Sequence, residues 1–232
     1  MSIAEHVAAV RESIRAAAVA AGRDPSEITL CAATKMNDSD KVRQAIAAGV
    51  SVCGENRVQE LVQKQTENAY EGAQVHFIGH LQTNKLRQVV GKVDLIQSVD
   101  REKLLLAIND EAAKQGIVQD ILLQVNIGYE PQKGGFLPEE MLRVAETVSH
   151  LPAVRVLGLM AIPPVCQEST ENHKFFQKMR EIGVDIMQKK YDNVRVDIMS
   201  MGMSGDYAEA IACGSTMVRV GTAIFGARNY AK

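Results

Sequence analysis

The stretch ITLCAATKMNDSDKVRQAIAAGVSVCGEN, residues 28–56, decides how this chain folds. It begins with an apolar run that ends on Lys35, passes through an Asp and Ser pair suited to cap a helix, continues with the helical pattern SDKVRQAIAAG, and closes on a second apolar run. A strand covered on both faces reads as a continuous apolar run rather than an alternating one, and strand–helix–strand order implies parallel pairing. An open doubly wound sheet would place a glycine-rich turn after the first strand, and CAATKMNDSD contains no glycine.

The same unit recurs along the chain. After ITLCAATK come VSVCGEN (50–56), VHFIGH (75–80), VDLIQSV (93–99), ILLQVNI (121–127), VLGLMAIP (156–163), VDIMSMG (196–202) and MVRVGT (217–222). Helical patterns lie between them, among them RVQELVQKQTENAY (57–70), TNKLRQVVGK (83–92), DREKLLLAINDEAAKQG (100–116) and PEEMLRVAETVSHL (138–151). Residues 3–21 put Ile3, Val7, Val10 and Ile14 on one helical face before GRDPSE ends the helix. The pattern predicts an α/β fold, a single (β/α)₈ TIM-type barrel over residues 1–232 with an extra N-terminal helix. The length of 232 residues is near that fold's usual size.

Composition narrows the function. With 46% hydrophobic residues, 23% charged residues and a formal charge of -2, no single-sign field recommends nucleic acid or an anionic membrane as a partner. The opening MSIAEHVAAVRESIRAAA mixes acids with bases and lacks the apolar core of a leader, and no run approaches a membrane span. Cys31, Cys53, Cys166 and Cys213 are widely spaced and read as buried free thiols of a reducing compartment, so the expected location is the cytoplasm. No Cys/His cluster has metal-site spacing, and neither GxSxG nor a P-loop occurs, so no metal is expected.

A barrel of this type keeps its active site at the C-terminal strand ends, and its phosphate sites often use the loops after strands seven and eight. Those loops are SMGMSGDYAEAI (200–211) and RVGTAIFGAR (219–228). Ser200 and Thr222 offer hydroxyls, Gly202 and Gly221 let backbone N–H groups approach an anion, and Ser204 is placed to cap the helix starting GDYAEAI. Either loop alone reads equally well as a tight turn; together they make a cup for a phosphate monoester.

Lys35 ends a buried strand at the predicted mouth. It reads either as a cation paired with an acid such as Glu55, or as a partly desolvated amine able to form a Schiff base. With the cup beside it, the expected ligand carries both an aldehyde and a phosphate, which is pyridoxal 5'-phosphate. Arg219 shares Gly221's strand face, where a guanidinium beside a pyridine nitrogen disfavours ring protonation and weakens the ring as an electron sink. Asn56 and His80 fall near the same rim. His76 is expected in or outside its strand, Asn126 in an interior polar network, Lys85, Arg87 and Lys92 on a solvated face, and Met199, Met201 and Met203 in the core.

The stretches ATK, GENRVQE, HFIGHLQTNK, LGLMAIP, SMGMSGDYAEAI and GSTMVRVGTAIFGAR resemble the YggS/PROSC family of pyridoxal phosphate homeostasis proteins. The resemblance runs from near Lys35 to the C-terminus and implies the barrel of alanine racemase, fold type III among pyridoxal phosphate proteins. It implies the cofactor on Lys35, phosphate contacts from Ser200, Gly202, Gly221 and Thr222, and Arg219 toward the pyridine nitrogen. The chain departs from the bacterial pattern at Met36, at Leu157 and in the loop IGYEPQKGG (127–135).

Three functions stay open. The first is a non-catalytic carrier that holds pyridoxal phosphate reversibly in vitamin B6 homeostasis and passes it to apo-enzymes; the expected state is a monomer, with a dimer as the alternative. Barrel racemases add a β domain with a catalytic tyrosine, and only Tyr230 stands near the end of this chain. The second is an amino-acid racemase using Lys35 as base, and the third is a Schiff-base aldolase acting on a sugar phosphate.

Overall fold

In the computed structural model, described over residues 1–164 and 169–226, all eight apolar runs form strands. They are β1 (Thr29–Ala33), β2 (Val52–Glu55), β3 (Gln74–Phe77), β4 (Leu95–Val99), β5 (Gln119–Val125), β6 (Val154–Ala161), β7 (Val194–Met203) and β8 (Met217–Val220). All pair in parallel in chain order, and the barrel closes between β1 and β8 with Thr29 opposite Met217 and Cys31 opposite Arg219. The helices are α1 (Ile3–Ala20), α2 (Ser39–Ala47), α3 (Val58–Thr66), α4 (Glu102–Gln115), α5 (Met141–Ser149), α6 (Ser169–Met187), α7 (Tyr207–Ala212) and α8 (Thr222–Phe225). Cys166, Tyr230 and the Ala-Arg end of the motif 219–228 lie outside the described residues.

Local chemistry explains the boundaries. Ser2 and Glu5 form a reciprocal capping box at the start of α1, which buries Val7, Val10, Ile14 and Ala18 against α2, α7 and α8. Asp38 caps α2 by accepting the Lys41 N–H at 2.9 Å. The segment 83–92 differs from expectation: Thr83–Gln88 winds as a 3₁₀ helix, not an α-helix. Its rise of about 2.0 Å per residue returns the chain toward β4 in fewer residues than an α-helix would need, while Leu86, Val89 and Val90 stay buried. Lys85 is half-buried, and Arg87 and Lys92 are exposed.

The barrel has two apolar layers. Outside the sheet, side chains such as Leu61, Phe77, Ile96, Leu104 and Phe176 fill the space beneath the helices. Inside it, Cys31, Val52, Ile78 and Met217 form one cluster and Leu95, Leu122 and Met160 another. Two residues further along β4 and β8, on the same inward face, come the polar Gln97 and Arg219. Cys31, Cys53 and Cys213 are free and buried, and burial pushes the first two thiols up to about 12. Among the described residues no helix is long and apolar enough to cross a membrane, and no three His, Cys, Asp or Glu side chains are grouped to hold a metal ion.

Gly158 permits a close approach between β6 and β7. The register shifts beside it, and a Cβ there would lie 1.8 Å from the carbonyl oxygen of Ile198 on β7. Gly158→Ala therefore forces β6 and β7 apart and is expected to lower stability by about 3 kcal/mol in urea unfolding; an unchanged midpoint would mean the strands tolerate the methyl group.

Candidate functional site

A cavity of about 390 Å³ opens at the C-terminal mouth of the barrel, where β1 and β8 end side by side. Lys35, Asn56, Arg219, Gly221 and Thr222 all line it, although they come from both ends of the sequence. Lys35 lies two residues beyond β1, in a turn, and is half-buried. The next residue, Met36, takes a left-handed conformation with φ of 60°, and its N–H donates to Glu60 Oε2 at 2.6 Å.

A buried cluster fixes that turn from behind. Lys64 Nζ donates to the carbonyl of Thr34 at 2.8 Å and to Glu55 Oε1 at 2.6 Å. The same carboxylate oxygen accepts from Thr34 Oγ1 at 2.5 Å and from the Tyr70 hydroxyl at 2.9 Å. Glu55 is fully buried and Lys64 is 4% exposed, and burial with the nearby Glu55 charge pushes the Tyr70 phenol well above its usual range. Glu55 thus pairs with Lys64. The helical phase of α3 carries the signal for Lys64, since its buried residues are Val58, Leu61 and Lys64 at steps of three.

Gly221 and Thr222 form the opposite wall. A Cβ on Gly221 would lie 3.3 Å from both Cβ and O of Ala33, so a glycine lets β8 end close against β1. Thr222 is exposed and begins α8, whose first N–H groups have no partner within the helix. Gly202, at φ of 95°, admits α7: a Cβ there would lie 2.7 Å from Cβ of Ala210 and 2.9 Å from Cα of Tyr207. That packing brings Ser204 and Gly205 to the cavity wall. Ser204 does not cap α7; Asp206 occupies the cap position and its carboxylate accepts the Met203 N–H at 2.6 Å. Burial raises the Asp206 carboxyl, opposed by that N–H and by Arg219.

Arg219 reaches the cavity from below and is 5% exposed. Its Nη1 donates to the carbonyl of Ser200 at 2.7 Å and to Ser200 Oγ at 2.6 Å, and its Nη2 donates to the carbonyl of Ala161 at 2.8 Å. Burial lowers its pKa to about 10, which leaves it cationic at neutral pH. Ser200 is the main change from the sequence reading. Its side chain is fully buried beneath the mouth, with its hydroxyl proton given to Gln97 Oε1 at 2.7 Å, so it supports Arg219 and does not line the cavity.

Asn56 stands between this cavity and a second chamber of about 240 Å³ that contains His80, Asp100, Asn126 and Lys133. Asn56 Oδ1 is buried and has no hydrogen-bond partner among the described residues. His80 is largely exposed, with Nδ1 3.1 Å from Asp100 Oδ2. Asn126 does not join an interior network; it folds the loop 127–135 by donating to the carbonyls of Glu130 and Lys133 and accepting from the Glu130 N–H. His76 lies inside the barrel. Met199 and Met201 are core, whereas Met203 lines the cavity, as do Asn37 and Lys41, which the sequence reading did not single out.

Comparison with known proteins places this geometry. Residues 6–229 match the family model of the alanine racemase N-terminal domain. A protein of Aquifex aeolicus named pyridoxal phosphate homeostasis protein is 42% identical over 230 residues, covering 99% of this chain and all of its own. A structure from Bifidobacterium adolescentis, described as an unknown protein, superposes with a TM-score of 0.91 at 37% identity, covering 96% of this chain and 94% of that one. PipY of Synechococcus elongatus, solved with PLP bound, superposes with a TM-score of 0.84 at 33% identity, covering 97% of this chain and all of PipY.

The Glu55–Lys64 pair generates a prediction. Lys64→Met leaves a fully buried carboxylate without its cation and is expected to cost about 3–5 kcal/mol in urea unfolding, while adding Glu55→Leu restores much of the loss. A single-variant cost within that of an exposed lysine would show that the pair contributes little.

Proposed function

The chain belongs to the alanine racemase N-terminal domain family, in its branch of pyridoxal phosphate homeostasis proteins, and we propose that it binds pyridoxal 5'-phosphate and holds it reversibly. The observation that carries this reading is convergence: one amine, one hydroxyl beside a glycine, and one buried guanidinium meet in a single cavity from both ends of the chain. The fit to the cofactor rests on the orphaned acceptor at Asn56 and on the close approach that glycine permits at Gly221. Bound there, the cofactor would supply an aldehyde open to reversible attack by a primary amine.

The chain's own residues divide the work of binding. Lys35 provides the amine, held at the mouth by the Thr34 and Met36 backbone contacts. Thr222, Gly221 and the Gly202 loop hold the phosphate through hydroxyl and backbone N–H donors, and a dianion makes such bonds charge-assisted. Asn56 would contact the ring, and Arg219 its nitrogen. Ser200 acts one step removed, through Arg219.

The same arrangement favours holding over catalysis. A guanidinium stays protonated at neutral pH and has only N–H groups to offer, so it donates to the ring nitrogen and keeps it unprotonated. An unprotonated ring is a weak electron sink. The function we propose is therefore a non-catalytic carrier in vitamin B6 homeostasis, working as a cytoplasmic monomer, with pyridoxal-phosphate-dependent apo-enzymes as recipients.

Borohydride reduction after incubation with pyridoxal phosphate should fix a single label on Lys35, detected by peptide mass spectrometry, and Lys35→Ala should lose it. Equal labelling of both proteins would remove Lys35 from the site. Sustained racemisation of an amino acid by the loaded protein would overturn the carrier reading. Thr222→Ala removes one charge-assisted hydrogen bond and is expected to weaken cofactor retention about tenfold or more in equilibrium dialysis without changing the unfolding midpoint; unchanged retention would place the phosphate elsewhere.

A further inference from the structure

Four polar side chains cross the barrel interior in a single line of hydrogen bonds. They are Arg219 on β8, Ser200 on β7, Gln97 on β4 and His76 on β3, and none is more than 5% exposed. Arg219 Nη1 donates to Ser200 Oγ at 2.6 Å, and Ser200 Oγ donates to Gln97 Oε1 at 2.7 Å. Gln97 Nε2 in turn donates to His76 Nδ1 at 2.8 Å and lies 3.1 Å from the Met217 sulfur.

Every link in that line runs in the same direction, and chemistry leaves little choice about it. A hydroxyl has one proton and two lone pairs; with its proton given to Gln97, Ser200 shows only lone pairs to Arg219. A guanidinium has only N–H to give, so the two match. Turning the Gln97 amide over would aim its NH₂ at Ser200, whose second lone pair could take it, but would remove the Oε1 that accepts the hydroxyl proton. What prevents the turn is His76, whose Nδ1 takes a hydrogen bond from Nε2 and would face a bare carbonyl oxygen otherwise. Burial lowers the His76 pKa to about 4, so the ring is uncharged at neutral pH and one nitrogen carries a lone pair; with Gln97 Nε2 donating at 2.8 Å, that nitrogen is Nδ1.

We propose that Gln97, oriented by His76, is the positioning residue for Arg219, and through Arg219 for the ring nitrogen of the cofactor at the mouth. The second half rests on the cofactor reading above; the first half does not. The line joins residues 76 and 219 across the barrel's interior, so an interior that reads as filling also sets where the guanidinium points.

Two measurements separate the halves. In nitrogen-15 NMR of the full-length protein without cofactor, His76 is expected to show an unprotonated Nδ1 and a protonated Nε2 across neutral pH; a protonated Nδ1 overturns the line whatever the protein binds. With pyridoxal 5'-phosphate as the probe, Gln97→Leu is expected to keep the borohydride label on Lys35 but to retain the cofactor about tenfold less well, with a shifted absorbance maximum. Gln97→Leu combined with Ser200→Ala should be no weaker than either alone, because both cut the same line. Gln97→Met, unbranched and closer in length to glutamine, takes the place of the leucine variant if that one fails to fold. Wild-type retention and spectrum in a folded Gln97 variant, or fully additive losses, overturn the proposal. If the unaltered protein takes up no pyridoxal phosphate while His76 shows the expected tautomer, the cofactor half falls and the positioning of Arg219 stands.

Discussion

The parallel ladder between β1 and β8 is the contact on which the site depends. It sets Cys31 opposite Arg219 and Ala32 opposite Val220, so the chain must end each strand at the same height. Beyond those ends stand Lys35 on one side and Gly221 with Thr222 on the other, separated by most of the sequence yet facing one cavity. A barrel that failed to close would leave these residues on opposite sheet edges. Gly221 belongs to the same constraint, because a side chain there would press on Ala33 and tilt the two strand ends apart.

Closing the barrel also encloses charge, and the fold handles this in two ways. Arg219 is desolvated by its position, and three acceptors from β6 and β7 offset that loss, leaving its pKa lowered but still far above neutrality. Glu55 and Lys64 are desolvated together on the outer side of β2, where they pair through Glu55 Oε1 and both tie down Thr34, while Glu55 Oε2 is buried with no hydrogen-bond partner among the described residues. Neither arrangement is the cheapest way to fill space, since apolar residues of similar volume often serve stability as well or better. Both sit directly beneath a residue of the mouth, Arg219 at its floor and Lys64 behind the Lys35 turn, and a fixed geometry there is what they provide.

Much of this was legible in the sequence because it depends on local pattern. Continuous apolar runs separated by capped helices identify eight strands, strand ends mark the mouth, and alternation along β8 puts Arg219 and Gly221 on one face. The failures share a cause, which is that they depend on neighbours across the fold. Ser200 has the residue type and position of a phosphate ligand, but its hydroxyl direction is decided by Gln97, which is 103 positions away. Ser204 precedes a helix and looks like its cap, but Asp206 wins the position through a bond back to Met203. Lys64 is a different case, not singled out in the sequence although its phase with Val58 and Leu61 marks it locally as part of the buried face of α3. The 3₁₀ winding of Thr83–Gln88 answers to the path between β3 and β4, which residue propensities do not encode.

The interior polar line and the mouth obey opposite requirements, and this decides how the protein can tolerate change. At the mouth, Lys35, Ser204 and Thr222 are half-buried or exposed, so water can reach them when no ligand does, and the buried Oδ1 of Asn56 is the exception. In the interior, Gln97 and Ser200 are fully sealed, so every donor must meet an acceptor within the protein. A cofactor that comes and goes needs the first condition, because each departure would otherwise strand buried polar groups. A guanidinium that must point the same way after each departure needs the second. The barrel supplies both by stacking them along one axis: an adaptable rim of turns and short helices stands above a layer of hydrogen bonds sealed from water.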